Sequence, residues 1–236
     1  MSGIFYGIGV GPGDPELLTV KAIKAIEQVD VLIAPKTEKK DGSVALSVAK
    51  PYLKKDVEIV YQVFPMVKGF AENSTDAWEV NKQEILELLN AGKNVAFLTI
   101  GDPMFYSTYI YVFRLLENAG VEIKTIPGIP AFAAIGSQLG YPIVEGDDVL
   151  SVIPATADAQ KIEKVLSASD NVVLMKVYKN FPEVAGLLDK NGMLDHAVMI
   201  SRCGLPDEER IDDIRARKDQ PVNYLSTILA RRTPEK

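Results

Sequence analysis

The chain has 236 residues, of which 47% are hydrophobic and 25% charged, and its formal net charge is −6. This composition is typical of a globular protein with one large or two modest domains, and the acidic balance argues against non-specific nucleic-acid binding. The lone Cys203 excludes an intrachain disulfide and a multi-cysteine metal site, and it fits a reducing cytoplasm. The start MSGIFYGIGVGPG lacks the pattern of a signal peptide, and no apolar stretch approaches the length of a membrane span.

Predicted strands and helices alternate through the first 126 residues. Apolar runs predict strands at residues 3–9, 29–34, 57–64, 95–100 and 121–126. Helical spacing of apolar residues predicts helices at 16–28, at 43–53 with Ser43 as N-cap, at 74–91, and along the face of Tyr109, Val112, Phe113 and Leu116. This alternation predicts a parallel sheet whose strands are joined by crossover helices.

The pattern changes after the segment IPGIPAF at residues 126–132. Shorter helices and less regular loops now separate the strand candidates, which are residues 149–153, 172–177, 197–201 and 222–229. We therefore expect a domain boundary near Pro127–Gly128, with a first α/β domain at 1–127 and a second, mixed α/β domain at 128–236.

The glycine-rich segment GIGVGPGDP follows the first predicted strand. It is not a dinucleotide-binding fingerprint, because Pro12 or Asp14 stands where the third glycine of G-x-G-x-x-G is needed. Pro12 also lacks the N–H that would face a phosphate, and no Gly-Lys-Ser/Thr follows. A loop that lines a ligand cleft at the carboxyl edge of the sheet is the better interpretation.

Asp102 lies in a second special loop, within the segment LTIGDPMFYST at residues 98–108. Because this loop also follows a strand of the parallel sheet, we expect it to meet the glycine-rich loop at the same edge. Two interpretations of Asp102 stay open. It forms an Asx-turn, or it contacts a ligand that carries amine, hydroxyl or cationic groups.

Three segments carry a resemblance to a known family: GIGVGPGDPELLTVKA, LTIGDPMFYST and IPGIPAFAAI. They occur in this order and spacing in the tetrapyrrole methylases, which are two-domain S-adenosylmethionine methyltransferases with the cofactor in the cleft between the domains. Further segments, including APKTEKKDGSVALSVAKPYL and NYLSTILARR, resemble the branch that methylates carbon-20 of precorrin-2 or cobalt-precorrin-2 in cobalamin biosynthesis. The resemblance implies a homodimer without a protein-bound metal. It also implies a first domain that lines the tetrapyrrole trough and a second that completes the cofactor site.

The resemblance also implies the residues of the site. The positions matching cofactor contacts are Gly101, Asp102, Phe105, Pro130, Ala131, Met175, Gly204 and Thr227. The loop of Gly11, Pro12 and Gly13 matches the tetrapyrrole side, and Tyr106 is a candidate for positioning the substrate. His196 has no partner at metal-ligand spacing, so we expect a structural or surface role for it.

The implied substrate is a polycarboxylate although the chain is acidic, so positive charge must line its binding site. The candidates are Lys36, Lys39 and Lys40, and then Lys176, Lys179 and Arg202, with solvated side chains as the alternative for each. The implied chemistry is direct displacement at the sulfonium methyl by an electron-rich carbon, to which the protein contributes alignment and desolvation. The alternatives are a related enzyme that methylates another ring carbon and a non-catalytic protein that binds S-adenosylmethionine or a tetrapyrrole.

Overall fold

The computed structural model describes residues 2–36, 42–65, 72–217 and 220–232. The chain divides into two units, Met1–Pro130 and Ala131–Lys236. The expected boundary near Pro127–Gly128 falls inside the first unit. Gly128 is tied to the first unit, because its backbone nitrogen donates a hydrogen bond of 3.0 Å to Asp102 Oδ2.

A parallel five-stranded sheet forms the first unit. Its strands are β1 (Ile4–Gly9), β2 (Val31–Lys36), β3 (Glu58–Val63), β4 (Val95–Thr99) and β5 (Glu122–Ile126). The spatial order is β3-β2-β4-β1-β5, and every adjacent pair is parallel. The helices are α1 (Val20–Ile26), α2 (Val44–Ala49), α3 (Glu72–Asn90) and α4 (Tyr109–Leu116). The predicted parallel sheet is confirmed, and the loops that follow the neighbouring strands β4, β1 and β5 share one edge of it.

The predicted helix at residues 16–28 is wrong at its start. A 3-10 turn occupies Pro15–Leu17, and α1 begins after Thr19. Thr19 has an extended backbone, and its side-chain oxygen accepts a hydrogen bond of 3.1 Å from Ala22 N. The threonine therefore caps the helix and interrupts the helical pattern that the apolar spacing predicts.

Two other predicted helix features are confirmed. Ser43 is the N-cap of α2, because its side chain accepts a hydrogen bond of 3.4 Å from Leu46 N. The apolar face of α4 packs into the core, where Tyr109, Val112 and Leu116 are buried.

The second unit has a mixed sheet, as predicted, and this sheet has five strands. Its strands are β6 (Leu150–Pro154), β7 (Asn171–Met175), β8 (Ala197–Ser201), β9 (Glu209–Ile211) and β10 (Ser226–Arg231). The order is β6-β7-β10-β8-β9, in which only β6 and β7 pair in parallel. The helices are α5 (Ala131–Leu139), α6 (Ala159–Ala168), α7 (Phe181–Lys190) and α8 (Ile214–Arg217).

The last strand differs from its prediction at residues 222–229. It begins only at Ser226, because Asn223 Oδ1 accepts a hydrogen bond of 2.9 Å from Leu225 N and forms a turn before it. The short edge strand β9 has no counterpart among the predicted strands. Within the described ranges, no helix is both long and apolar enough to cross a membrane.

Candidate functional site

The loops that follow β1 and β4 meet, as predicted from their places in the sheet. Gly101 N donates a hydrogen bond of 2.7 Å to Gly11 O, and Gly11 N lies 3.4 Å from Gly101 O. Both glycines have a positive φ, +75° for Gly11 and +71° for Gly101. Only glycine adopts this backbone conformation without strain, so the sequence places glycine where the two loops pair.

A third loop, which follows β5, packs against the first two through its backbone. A Cβ atom on Gly128 would lie 2.1 Å from Gly101 O, and a Cβ on Gly9 would lie 2.6 Å from the same oxygen. These distances exclude any side chain. We call Gly9, Gly11, Gly101 and Gly128 the glycine junction, because it joins the loops of β1, β4 and β5 backbone to backbone.

Asp102 comes directly after Gly101 of the glycine junction, and both of its carboxylate oxygens accept hydrogen bonds from backbone nitrogens. Oδ1 accepts a hydrogen bond of 2.8 Å from Met104 N, which is the predicted Asx-turn, and Oδ2 accepts the 3.0 Å bond from Gly128 N. Among the residues with described positions, no lysine or arginine forms an ion pair with Asp102. Each oxygen keeps a second lone pair, so the half-buried carboxylate is able to accept hydrogen bonds from a cationic or hydroxylated ligand.

Phe105 and Tyr106 form the tip of the same loop. Their rings meet edge to face, with an interplanar angle of 66° and centroids 4.9 Å apart, and Tyr106 has a positive φ of 49°. Partial burial raises the pKa of the Tyr106 hydroxyl above its ordinary value. Ser107 holds the far end of the loop, because its Oγ lies 3.2 Å from Thr99 Oγ1 and accepts a bond of 3.0 Å from Tyr109 N.

The structure places several of the other predicted residues of the first unit, whereas two lie outside the described ranges. Pro130 is close to the glycine junction, since a Cβ on Gly101 would lie 3.8 Å from Pro130 Cα. Pro12 and Gly13 are buried. Lys36 ends β2, whereas Lys39 and Lys40 lie outside the described residues. Contact of these residues with a substrate stays a prediction.

The predicted residues of the second unit lie at strand ends and a helix start. Met175 ends β7 and pairs across the sheet with Thr227, which is buried in β10. Gly204 lies two residues after the left-handed Arg202 and itself has a φ of +72°. Ala131 is the first residue of α5.

Glu208 and Gln138 hold the Gly204 loop, and the sequence analysis singled out neither. Gly204 N donates a hydrogen bond of 2.6 Å to Glu208 Oε2, and Gln138 Nε2 donates one of 2.6 Å to Glu208 Oε1. Cys203 is buried, with its Sγ 3.9 Å from Gln138 Oε1. No local sequence signal could have found this arrangement, because 70 positions separate Gln138 from Glu208.

The predicted cationic residues of the second unit differ in their surroundings. Arg202 Nε lies 2.6 Å from Asp207 Oδ2, so an acid neutralises its charge. Lys176 Nζ lies 6.0 Å from the centre of the Tyr224 ring, and Lys179 Nζ lies 5.4 Å from that of Tyr178. Both ammonium groups are thus placed over aromatic faces.

The backbone carbonyl oxygen of His196 accepts a hydrogen bond of 2.9 Å from the Tyr141 hydroxyl, whereas the role of its side chain stays a prediction. In the part of the chain with described positions, no group of three or more His, Cys, Asp or Glu side chains is arranged to hold a metal ion.

Comparison with known proteins identifies the family. The family model of the Tetrapyrrole (Corrin/Porphyrin) Methylases matches residues 5–215. The cobalt-precorrin-2 C(20)-methyltransferase of Salmonella typhimurium is 36% identical over 97% of this chain and 96% of its own length. The precorrin-2 C(20)-methyltransferase of a Sinorhizobium species is 34% identical over 97% of each chain.

A solved structure shares the fold. The uroporphyrin-III C-methyltransferase from Thermus thermophilus, crystallised with S-adenosylhomocysteine, superposes with a TM-score of 0.69 at 19% identity, over 96% of this chain and 97% of that chain. Because the family model and both relatives span most of the sequence, the chain belongs to the tetrapyrrole methylase family.

Proposed function

We propose that this protein is an S-adenosylmethionine-dependent C-methyltransferase that methylates carbon-20 of precorrin-2 or cobalt-precorrin-2 in cobalamin biosynthesis. The names of the two relatives support the carbon position, at 36% and 34% identity over nearly the whole chain. One relative is named for the cobalt form of the substrate and the other for the metal-free form, so both substrates belong to the proposal.

The observation that carries the cofactor assignment is the Asp102 carboxylate beside the glycine junction. It is half-buried, and within the described part of the chain its carboxylate accepts hydrogen bonds from two backbone N–H groups, those of Met104 and Gly128. S-adenosylmethionine offers a sulfonium, an ammonium and ribose hydroxyls, which a carboxylate with spare lone pairs is suited to bind. The residues present therefore fit this cofactor.

Residues of both units are proposed to contact the cofactor. In the first unit they are Gly101, Asp102, Phe105 and Pro130, and in the second they are Ala131, Met175, Gly204 and Thr227. When bound, S-adenosylmethionine supplies a methyl group that a carbon nucleophile can accept. The chain's own residues bind and orient the reactants and exclude water, with Tyr106 proposed to position the substrate.

The tetrapyrrole is proposed to face the loop of Gly11, Pro12 and Gly13, and its carboxylates are proposed to contact basic residues. Lys36, Lys39 and Lys40 are the first candidates. Lys176 and Lys179 are the second, and their ammonium groups lie over the rings of Tyr224 and Tyr178. Arg202 is a weaker candidate than in the sequence analysis because Asp207 already neutralises it.

The experiment that tests the function is incubation with S-adenosylmethionine and either precorrin-2 or cobalt-precorrin-2, followed by mass and carbon-position analysis of the product. We expect one added methyl group at carbon-20. A methyl group at another ring carbon would identify a related enzyme of the family, whereas binding of both ligands without turnover would indicate a non-catalytic protein.

We also propose that the protein works as a homodimer in the cytoplasm. The family resemblance supports the dimer, and the single cysteine of the sequence is consistent with a reducing compartment. Light scattering coupled to size-exclusion chromatography tests the dimer, which predicts about twice the mass of the 25.8 kDa chain.

A further inference from the structure

We propose that Glu208 is a positioning residue that fixes the backbone of Gly204 for cofactor binding. The inference rests on the proposed function, in which Gly204 contacts S-adenosylmethionine. It is based on the two carboxylate oxygens of Glu208, which accept hydrogen bonds from two different parts of the second unit. Oε2 accepts a hydrogen bond of 2.6 Å from Gly204 N, while Oε1 accepts one of 2.6 Å from Gln138 Nε2 on α5.

The backbone around Gly204 needs such support because it departs from extended geometry directly after β8. Arg202 has a φ of 57° and Gly204 one of 72°, so two left-handed residues lie within three positions. Non-glycine residues adopt this conformation only where the surroundings hold them there. A charged acceptor for Gly204 N gives a stronger hydrogen bond than a neutral one.

Glu208 is itself held in place on both sides of the contact. Its backbone nitrogen donates a hydrogen bond of 3.0 Å to Leu205 O, which closes a turn from Leu205 to Glu208. On the other side, Gln138 lies in α5 and also approaches the buried Cys203, whose Sγ is 3.9 Å from Gln138 Oε1. Glu208 thus joins the Gly204 loop to the helix that begins at Ala131, another predicted cofactor residue.

The neighbouring Glu209 provides a matched control. It is the same residue type one position later, but its carboxylate pairs with Arg217 Nη2 at 3.0 Å and its side chain is 47% exposed. Removing either glutamate takes away one negative charge at nearly the same place in the sequence. Only Glu208 contacts Gly204, so only its removal should change the loop.

The test compares wild type, Glu208→Ala, Glu208→Gln and Glu209→Ala by calorimetric titration with S-adenosylhomocysteine, by thermal unfolding and by steady-state kinetics. We expect Glu208→Ala to weaken S-adenosylhomocysteine binding by about tenfold and to raise the KM for S-adenosylmethionine while kcat at saturation stays close to wild type. Glu208→Gln should recover most of the affinity, because its amide oxygen can still accept from Gly204 N while the side chain of Gln138 can turn its amide oxygen toward the new amide nitrogen. Glu209→Ala should bind as wild type does.

Equal affinities for Glu208→Ala and Glu209→Ala would overturn the positioning role, and so would a fall in melting temperature without a change in the dissociation constant. If Glu208→Ala does not fold, the single variants Glu208→Gln and Gln138→Met decide the question. Gln138→Met should weaken cofactor binding, and an unchanged affinity of that variant would contradict the proposal. Failure of wild type itself to bind S-adenosylhomocysteine would overturn the proposed function and this inference together.

Discussion

Asp102 Oδ2 accepts a hydrogen bond of 3.0 Å from Gly128 N, so a side chain that follows β4 fixes the backbone of the loop that follows β5. The same carboxylate accepts a bond from Met104 N within its own loop. One residue therefore sets the relative position of two loops that the sequence places 26 residues apart. The proposed role of Asp102 in binding the cofactor would come in addition to this structural one.

We expect Asp102→Ala to lower both the stability of the protein and its affinity for S-adenosylhomocysteine. Two backbone N–H groups lose a charged acceptor, which should reduce the free energy of unfolding by about 1–3 kcal/mol. Asp102→Asn should be a poor substitute, because an amide nitrogen would face one of the two N–H donors. Urea unfolding and calorimetric titration measure the two effects, and an unchanged unfolding midpoint would contradict the structural role.

Gly128→Ala should be strongly destabilising, because the new methyl group would lie 2.1 Å from Gly101 O, a backbone atom that cannot move alone. We expect a loss of at least about 2 kcal/mol in the free energy of unfolding. The control is Gly186→Ala within α7, where a Cβ atom would meet nothing within 4 Å. It should stabilise the protein by about 0.5–1 kcal/mol. Equal effects of the two substitutions would show that the glycine junction is not tightly packed.

Replacing Lys36, Lys39 and Lys40 together by Gln should weaken tetrapyrrole binding and flatten its dependence on salt. Each exposed contact is worth only about 0.2–1 kcal/mol, so the triple change is needed for a clear signal. Lys21, Lys24 and Lys50, which are exposed, form the control when replaced in the same way. Affinity for S-adenosylhomocysteine should stay as in wild type. Identical salt slopes for both triple variants would shift the assignment to Lys176 and Lys179.

Stability should fall at high pH, in part because of Tyr109. Burial raises the pKa of its hydroxyl and outweighs the opposing effect of the 2.7 Å hydrogen bond with Thr125 Oγ1, so the folded state keeps this proton at pH values where the unfolded chain loses it. The free energy of unfolding should therefore decrease as pH rises above about 10. Tyr109→Phe should cost about 0.5–1.5 kcal/mol at neutral pH and make the alkaline decrease shallower. Urea unfolding from about pH 8 to about pH 11 measures both effects. Parallel curves of unfolding free energy against pH for wild type and Tyr109→Phe would show that Tyr109 does not contribute to the alkaline decrease.

The features that depend on local sequence pattern and on sheet topology could be predicted from the sequence. Alternating apolar segments predicted the parallel sheet, and the rule that parallel strands share a carboxyl edge predicted that the loops of Gly11 and Gly101 meet. The start of α1 was missed because the polar cap Thr19 lies inside a pattern with helical spacing. Contacts between distant residues, such as Glu208 with Gln138, leave no periodic signal and appeared only in the folded chain.

The glycine junction divides the loops into positions that can vary and positions that cannot. Backbone atoms fill the space around Gly9 and Gly128, so no substitution there leaves the geometry intact. The loop tip at Tyr106 lies beyond these contacts, and the exposed side chain of Tyr106 can be exchanged without rebuilding the strand ends beneath it, whereas Phe105 is kept for the proposed cofactor contact. A library confined to that tip is therefore the practical starting point for engineering the enzyme toward differently substituted macrocycles.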